Sequence, residues 1–531
     1  MNLLKSTGII GGMTLISRIF GFARDMLLSR ILGDGTAASA WQLAFQLPNI
    51  FRRLFAEGAF SAAFVPLFNG KMAEDEDRSA AQNFAVEVLS VFVPILLIFS
   101  AILMLAMPGI IWLFDDLGRG DLSSDAASHE LTINLARIAF PYLALISLTT
   151  LFAAILNSLS RFTAAAAAPI LLNICVITAL VAALYVNGGH DTVQTAYMIA
   201  VAVSISGLLQ MLWLYYWARK SGFNFALRRP RFTQDVRSLG VLILPAIFGA
   251  GIYQISRFID LFFLGQMHQS ARVHLAFADR LNQLPLGIIG IALGIAILPA
   301  LSRFIANDDK GGAQRVQSNA IELGLLLTVP AAVGLYFAAT PLVGAIFGGG
   351  NYGVEAVNGT AAAMAMLVLG LPAYVLVKIL TPGFFARKDT RTPLYTAAIA
   401  LALNITLNIL LIPVLGLPGL ALAGAIAAWV NCALLYFMLQ KRGHYHIEPD
   451  LLFRISRIIL SAAAMGAALY FLAPYGDAYY GGSIIERVFS IAILCGAGGG
   501  AYFVLAWLTG AIDRSKIAML RRKPAEEAPS E

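Results

Sequence analysis

The sequence predicts an all-α integral membrane protein of about 14 transmembrane helices, arranged as two six-helix lobes and an additional C-terminal helix pair. The first observation is composition: of 531 residues, 59% are hydrophobic and 13% are charged, whereas soluble domains carry about 25% charged residues. The second is that apolar stretches of roughly 20 residues, the length that crosses a bilayer, recur along nearly the whole chain. The third is an internal repeat between the two halves of the chain. A sizeable soluble domain is therefore not expected.

The predicted helices are the apolar stretches bounded by Gly, Pro or clusters of charge. They cover residues 9–32, 38–67, 84–114, 132–157, 165–187, 195–218, 238–264, 273–302, 317–346, 358–386, 393–413, 416–440, 453–474 and 484–511. The first stretch lacks the small-residue cleavage site of a signal peptide, so we expect it to be retained. Cys175, Cys432 and Cys495 lie inside apolar stretches without metal-ligand spacing, so no disulfide framework and no metal site is expected.

The distribution of Lys and Arg sets the predicted orientation, because cytoplasmic loops are enriched in these residues. With both termini inside, nearly all loop Lys and Arg fall on the cytoplasmic side, and only Arg119, Arg272 and Arg487 fall outside. The net charge of +7 is explained by this topology, since the basic residues are scattered among loops and form no continuous nucleic-acid-binding patch. We therefore expect both termini in the cytoplasm and no nucleic-acid partner.

Matching residues recur at nearly constant separation and define the repeat. Ile16-Ser17-Arg18 recurs as Ile255-Ser256-Arg257, and Pro141 with Asn173 recurs as Pro372 with Asn404. Transporters use such repeats to build a site between two related halves. The repeat predicts an N-terminal lobe over 1–222, a C-terminal lobe over 223–443, additional helices over 444–512 and a cytoplasmic tail over 513–531.

Several charged residues fall within the apolar stretches, where a charge costs at least ~2.5 kcal/mol and usually faces a wet cavity or a partner. The spacing of Arg257 with Asp260, and of Arg53 with Glu57, predicts two ion pairs along helix faces. The remaining arginines outnumber the remaining acids, even when Asp25 and Asp279 are counted; they are Arg18, Arg24, Arg52 and Arg280. An anionic ligand would supply the missing charge, and arginine binds diphosphate well because its planar fork donates paired hydrogen bonds. The alternative role of these arginines is to lock the lobes together.

Glycine and proline predict breaks in three helices at membrane depth, where irregular backbone is tolerated if it lines a cavity. The first contains Gly11, Gly12 and Gly21, the second contains Pro48, and the eighth contains Pro285, Gly287, Gly290 and Gly294. The alternative explanation of the glycines is close helix packing through small residues.

The driving force for transport is left open by the sequence. Asp260, Asn404 and Asn408 could offer oxygen ligands to a monovalent cation, or the two asparagines could bridge helices by hydrogen bonds. The loop 348–353 is glycine-rich but lacks the Lys-Ser/Thr of a phosphate-binding P-loop, so it is predicted to be an external turn. Without an ATP site, transport would be driven by an ion gradient, by the membrane potential or by consumption of product. No cofactor is expected.

Four long runs carry a family resemblance: MTLISRIFGFARD, FQLPNIFRRLFAEGAFSAAFVPLF, ADRLNQLPLGIIGIALGIAILPALS and VKILTPGFFARKDTRTP. They resemble the MurJ (MviN) family of lipid II flippases, and the similarity covers essentially the whole chain. The resemblance implies the multidrug/oligosaccharidyl-lipid/polysaccharide exporter fold, alternating access between two lobes and a bacterial inner-membrane location. It also implies transport rather than enzymatic catalysis. The implied partners are lipid II and membrane lipid, with cell-wall synthesis proteins as further candidates.

The same resemblance implies roles for individual residues. Arg18, Arg24, Arg52 and Arg280 would be the central-cavity arginines that handle the diphosphate and sugar headgroup. Asp25 would be the cavity acid beside Arg24, Lys378 the lysine of the tenth helix, and the last two helices a groove for the polyprenyl tail. The sequence departs from some relatives at Ser39, Gln46, Gln283 and Asn408, and the last departure weakens the case for a sodium site.

Rival functions differ in the residues that they would require. A flippase for another polyprenyl-diphosphate-linked oligosaccharide would need the same arginines, so only the family runs argue against it. A cationic-drug antiporter should have an acidic or aromatic cavity, and a non-transporting scaffold would have no reason to keep unpaired arginines at membrane depth. An enzyme acting on lipid II would need an acid at an external helix end, but the acids of loop 115–130 are interspersed with Gly and Ser and are expected to be solvated.

Overall fold

The fold is given by a computed structural model that describes residues 3–53, 60–74, 78–115, 117, 126–477 and 482–511. Helices account for most of these residues, and the described ranges contain no strand beyond an isolated bridge between Gly349 and Tyr352. Within the same ranges, 11 helical segments are long and apolar enough to cross a membrane. The predicted all-α membrane class is confirmed, while the total of about 14 transmembrane helices stays a prediction.

The described residues of the first part of the chain form eleven helices: α1 (Leu3–Leu32), α2 (Thr36–Arg52), α3 (Ser61–Glu74), α4 (Ser79–Leu105), α5 (Met107–Asp115), α6 (Ala126–Ala139), α7 (Pro141–Ser158), α8 (Phe162–Asn187), α9 (Thr192–Lys220), α10 (Gln234–Gly265) and α11 (Ala271–Pro285). After a π-helical turn over Leu286–Gly290 come α12 (Ile291–Ala306), α13 (Lys310–Phe337), α14 (Ala339–Phe347), α15 (Val354–Val368), α16 (Leu371–Phe385), α17 (Arg391–Leu415), α18 (Leu417–Lys441), α19 (Pro449–Asp477) and α20 (Ile484–Leu508).

These helices form two compact units. Unit 1 comprises Met1–Phe277 and the later segment Phe347–Thr360, and unit 2 comprises Ala278–Ile346 and Ala361–Glu531. The predicted lobes 1–222 and 223–443, with the additional helices 444–512, are defined by the repeat rather than by compactness, and they stay a prediction. The predicted tail 513–531 lies outside the described residues.

The predicted breaks at glycine and proline are confirmed in only one of three helices. α1 continues through Gly11-Gly12 and Gly21, and α2 continues through Pro48, so these two predictions were wrong. A single glycine weakens a helix by about 1 kcal/mol but leaves its hydrogen bonds in place, and a proline removes only part of the local ladder. The eighth predicted helix is broken, because the π-helical turn Leu286–Gly290 interrupts it.

Other predicted helices are divided where no break was expected. The stretch 132–157 is divided between α6 and α7, and 358–386 between α15 and α16. Pro141 and Pro372 lie in the first turn of α7 and α16, where a missing N–H costs nothing and the fixed φ favours a helix start. The two matched prolines of the repeat therefore each begin a helix, one in each half of the chain.

Each unit has its own apolar core. In unit 1 the rings of Phe60, Phe64 and Phe68 stack in sequence, and Phe84 of α4 stacks on Phe64. Stacked aromatic rings contribute about 0.5–1.5 kcal/mol each beyond their buried area.

In unit 2 the C-terminal helix pair packs on α13. The Tyr502 hydroxyl of α20 donates to the Leu326 carbonyl at 2.8 Å, and Arg454 of α19 pairs with buried Glu322 at 2.9 Å. These polar contacts fix the pair against α13.

Part of the glycine-rich loop predicted as an external turn belongs to unit 1 and packs on the end of α1. The Asn351 backbone N–H donates to the Arg30 carbonyl at 2.8 Å, and its side-chain amide donates to the Ile31 carbonyl at 2.6 Å. Gly350 has a positive φ of 59° and lies so close to the Arg30 carbonyl that no Cβ would fit. The loop thus caps the last carbonyls of α1, which have no partner within the helix.

Candidate functional site

The best-defined polar cluster in unit 1 lies where α1 packs on α8. Ser17, Gly21 and Arg24 recur every three or four residues, so they share one face of α1. Asn173 of α8 faces this stripe, and a Cβ added to Gly21 would lie 3.6 Å from its amide nitrogen. Gly21 therefore lies at the contact between the two helices and does not break α1.

The Arg24 guanidinium is held on two sides within this cluster. Its Nε and Nη2 donate to Asp25 Oδ1 at 3.0 and 2.7 Å, and its Nη1 donates to Asn173 Oδ1 at 3.1 Å. The Asn173 amide nitrogen donates in turn to the Ser17 carbonyl at 3.1 Å. Arg24 and Asp25 are both buried, with exposed fractions of 9% and 4%. The acid balances the arginine charge, and the amide fixes the plane of the guanidinium.

The other two arginines predicted in this unit are half-buried. Arg18 follows Ser17 directly, so its side chain starts about 100° around α1 from the face that meets α8. Arg52 lies in the last turn of α2, and its Nε donates to Asn49 Oδ1 at 3.3 Å. The neighbouring Phe51 ring packs edge-on against Phe140 and Phe258, which anchors this end of α2.

Two further predicted site residues, Arg280 and Lys378, belong to unit 2 and are half-buried. Arg280 lies on α11, one residue after Asp279, which accepts a 2.6 Å hydrogen bond from Gln283. Lys378 lies on α16 against the glycines of the broken helix: a Cβ at Gly290 would be 3.3 Å from the Lys378 Cδ. Gly290 therefore leaves room for the lysine stem. Substrate binding by the six predicted residues remains a prediction.

The predicted cation site is divided between the two units. Asn404 and Asn408 are buried on α17, where the Asn408 amide donates to Asn404 Oδ1 at 3.2 Å. Asp260 is half-buried on α10 in unit 1. The cation site and the Arg257–Asp260 pair stay predictions, and Glu57 of the other predicted pair lies outside the described residues. In the described part of the chain, no three His, Cys, Asp or Glu residues cluster as metal ligands would.

Sequence reasoning missed the role of Asn173, which it used only as a marker of the repeat. A buried asparagine in the middle of an apolar helix needs hydrogen-bond partners, and that requirement was the available signal. Its partners, Arg24 and Ser17, are far away in the chain and could be identified only from the packing of α8 on α1.

Replacing Asn173 by alanine should therefore impair the lipid transport that the family resemblance implies. The substitution removes one partner of Arg24 and the side-chain donor to the Ser17 carbonyl, and losing such a buried hydrogen bond costs about 1–3 kcal/mol. We expect a fall in transport rate of about tenfold, measured with purified protein in vesicles. The matched control is Asn187→Ala at the far end of α8, which should transport normally. Equal loss in both variants would show that Asn173 has no special part in the site.

Comparison with known proteins gives the family. A sequence model described as lipid II flippase MurJ matches residues 28–490. The chain belongs to this family. A probable lipid II flippase MurJ of Rhizobium tropici is 39% identical over 533 residues, covering 100% of this chain and 98% of that protein. The lipid II flippase MurJ of Burkholderia cenocepacia is 32% identical, covering 98% and 100%. Family membership places the chain among transporters rather than enzymes.

Solved structures agree on the fold. A MurJ structure in an inward closed conformation has a TM-score of 0.75 at 22% identity, covering 96% of this chain and 99% of that one. An inward-facing multidrug transporter of the MATE family has a TM-score of 0.65 at 17% identity, covering 82% and 97%. The implied exporter fold is thereby confirmed for this MurJ-family chain, and the implied residue roles are not tested by it.

Proposed function

We propose that this chain moves lipid II from the cytoplasmic to the periplasmic leaflet of the bacterial inner membrane by alternating access. The proposal rests on family membership, with relatives that match over the whole chain, and on one structural observation, the buried Arg24 whose guanidinium is pre-oriented by Asp25 and Asn173. A diphosphate-sugar headgroup would be held in a cationic cavity formed by Arg18, Arg24, Arg52, Arg280 and Lys378.

The substrate diphosphate would displace the Asp25 carboxylate from Arg24, and the carboxylate would return when the substrate leaves. In the described state Asp25 Oδ1 accepts from two nitrogens of the Arg24 guanidinium. An arriving diphosphate offers several anionic oxygens to the same paired donors, so it competes directly with this one carboxylate oxygen. When the headgroup leaves, Asp25 returns to Arg24, so the guanidinium is never left as an uncompensated buried charge. Asn173 keeps the guanidinium plane fixed in both states.

Orientation, driving force and partners complete the proposed transport cycle. Both termini would be cytoplasmic, as the distribution of Lys and Arg predicts. The polyprenyl tail would stay in lipid beside α19 and α20 while the headgroup crosses. A monovalent cation at Asp260, Asn404 and Asn408 or the membrane potential would drive the cycle, and cell-wall synthesis proteins would receive the product. No cofactor takes part.

Depletion of the protein in its host tests the function. We expect lipid II exposed to an externally added cleaving enzyme to fall while precursor accumulates inside. Wild type should restore exposure and Arg280→Ala should not, because the variant lacks one of the cavity cations that offset the diphosphate charge.

Two other outcomes would contradict the assignment of lipid II as the substrate. If exposed lipid II stays constant while a different surface glycan disappears, the substrate is another polyprenyl-diphosphate-linked oligosaccharide. If neither changes, transport of this class of lipid is excluded.

A further inference from the structure

The connection between α9 and α10 carries an unusual concentration of positive charge. Residues 221–233, here called the basic strap, contain three arginines, and the flanking helix ends add three more basic residues. The six are Arg219, Lys220, Arg228, Arg229, Arg231 and Arg237, and the same stretch contains one acid, Asp235. Most of the strap is exposed and has no regular secondary structure.

The strap is held in place by the beginning of α4. The Gln82 side chain hydrogen-bonds both the backbone N–H and the carbonyl of Asn224. Farther along, Ser90 Oγ accepts from the Arg228 backbone N–H at 3.0 Å, and Thr233 Oγ1 donates to Glu87 at 2.8 Å. The strap is therefore a fixed surface feature of unit 1.

Its inner side is apolar and its outer side is basic. Phe223 is buried, and the Phe225 ring packs edge-on against Phe152 of α7. Arg229 and Arg231 are exposed, and neither forms an ion pair among the described residues. Of the nearby acids, Asp235 pairs with Lys71 at 3.2 Å, and Glu87 accepts the Thr233 bond. These two arginines thus keep their charge available to a ligand.

The strap also exposes two large apolar side chains. Leu227 is 65% and Phe232 63% exposed, on either side of the two free arginines. The end of α9 next to the strap is aromatic: Tyr216 is 57% exposed, and the Lys220 ammonium lies 5.0 Å from the Trp217 ring centroid. Aromatic residues at helix ends and basic residues beside apolar ones are typical of the membrane surface.

We propose that the basic strap binds the phosphate groups of anionic phospholipids in the leaflet on its side of the membrane, through Arg229 and Arg231. Leu227 and Phe232 insert among the first acyl carbons beside them. Juxtamembrane basic residues attract anionic lipid, whereas neutral lipid offers them no net charge. This site is separate from the proposed transport site and stands whether or not the substrate is lipid II.

Native mass spectrometry of the full-length protein in detergent tests the site, with phosphatidylglycerol and phosphatidylcholine of the same chains as probes. Wild type should bind phosphatidylglycerol more tightly. Arg229→Gln with Arg231→Gln should reduce that preference on the order of fivefold per arginine. The matched control is Lys310→Gln with Arg315→Gln, which removes the same charge from exposed positions at the start of α13 and should keep the preference.

The other outcomes would overturn the proposal. A preference retained in the strap variant, or lost equally in the control, would show that the strap is not the lipid site. Displacement of phosphatidylglycerol by an equal concentration of inorganic phosphate would assign the strap to free phosphate. Binding of a single-stranded RNA oligonucleotide that disappears in the strap variant, without any lipid preference, would assign it to nucleic acid.

Discussion

Alanine in place of Arg24 should reduce lipid II transport by at least about 100-fold, because it would remove the paired charge-assisted hydrogen bonds that we propose Arg24 donates to the diphosphate, each contributing about 1.5–3 kcal/mol. The side chain is buried, and Asp25 and Asn173 hold its guanidinium in one orientation. The measurement is the rate at which lipid II added to one leaflet of protein-containing vesicles becomes cleavable on the other.

Two further variants separate a lost substrate contact from a lost fold. Arg24→Ala removes the arginine partner of buried Asp25, and losing one member of a buried ion pair is strongly destabilising. Combining Arg24→Gln with Asp25→Asn removes both charges and keeps hydrogen-bonding side chains, so this pair should insert and fold yet fail to transport. Arg315→Ala, at an exposed position, should transport normally. Normal transport by the variant with Arg24→Gln and Asp25→Asn would contradict the proposed role of the guanidinium.

Gly265→Ala should give the largest loss of stability among single-methyl additions. Gly265 ends α10 directly against the Phe114 carbonyl oxygen of α5, and a Cβ there would overlap that oxygen. Because the obstacle is backbone, a helix has to shift, and overpacking of this kind costs about 1–3 kcal/mol or more. Thermal unfolding in detergent, followed by the loss of monodisperse protein, measures the effect.

The same helix provides the control. Gly240 also lies in α10, but a Cβ added there meets nothing within 4 Å. Gly240→Ala should therefore leave stability unchanged or raise it by about 0.5–1 kcal/mol, since alanine loses less backbone entropy than glycine. Equal midpoints for the two variants would mean that α10 does not need its close approach to α5.

The fold class could be predicted from composition and hydropathy because a bilayer requires long apolar helices whatever their contacts. The division of those helices could not. Pro141 and Pro372 start new helices inside single apolar stretches, whereas Pro48 leaves its helix continuous. A proline's effect depends on whether neighbouring helices stabilise the bend, and a hydropathy profile contains no information about neighbours.

The charged residues of the candidate site could be predicted from the sequence. Arg24 and Asp25 were identifiable because ionised side chains are costly in an apolar helix. Asn173 carries no charge, and its contact with Arg24 depends on how α8 packs on α1, which only the structure gives. The role of Gly21 also depends on how the helices pack. The sequence indicated either a helix break or a packing contact at Gly21, and the short distance to Asn173 supports the packing contact.

Because the loop around Asn351 caps α1, the end of α1 can complete its folding only late in synthesis. Arg30 and Ile31 emerge from the ribosome early, but the amide groups that satisfy their carbonyls are made hundreds of residues later. Chains are built at about 5–20 residues per second, so the end of α1 waits tens of seconds for its cap. A nascent chain stopped before Phe347 therefore holds an incomplete unit 1, and the early helices mature only after much of unit 2 has been inserted.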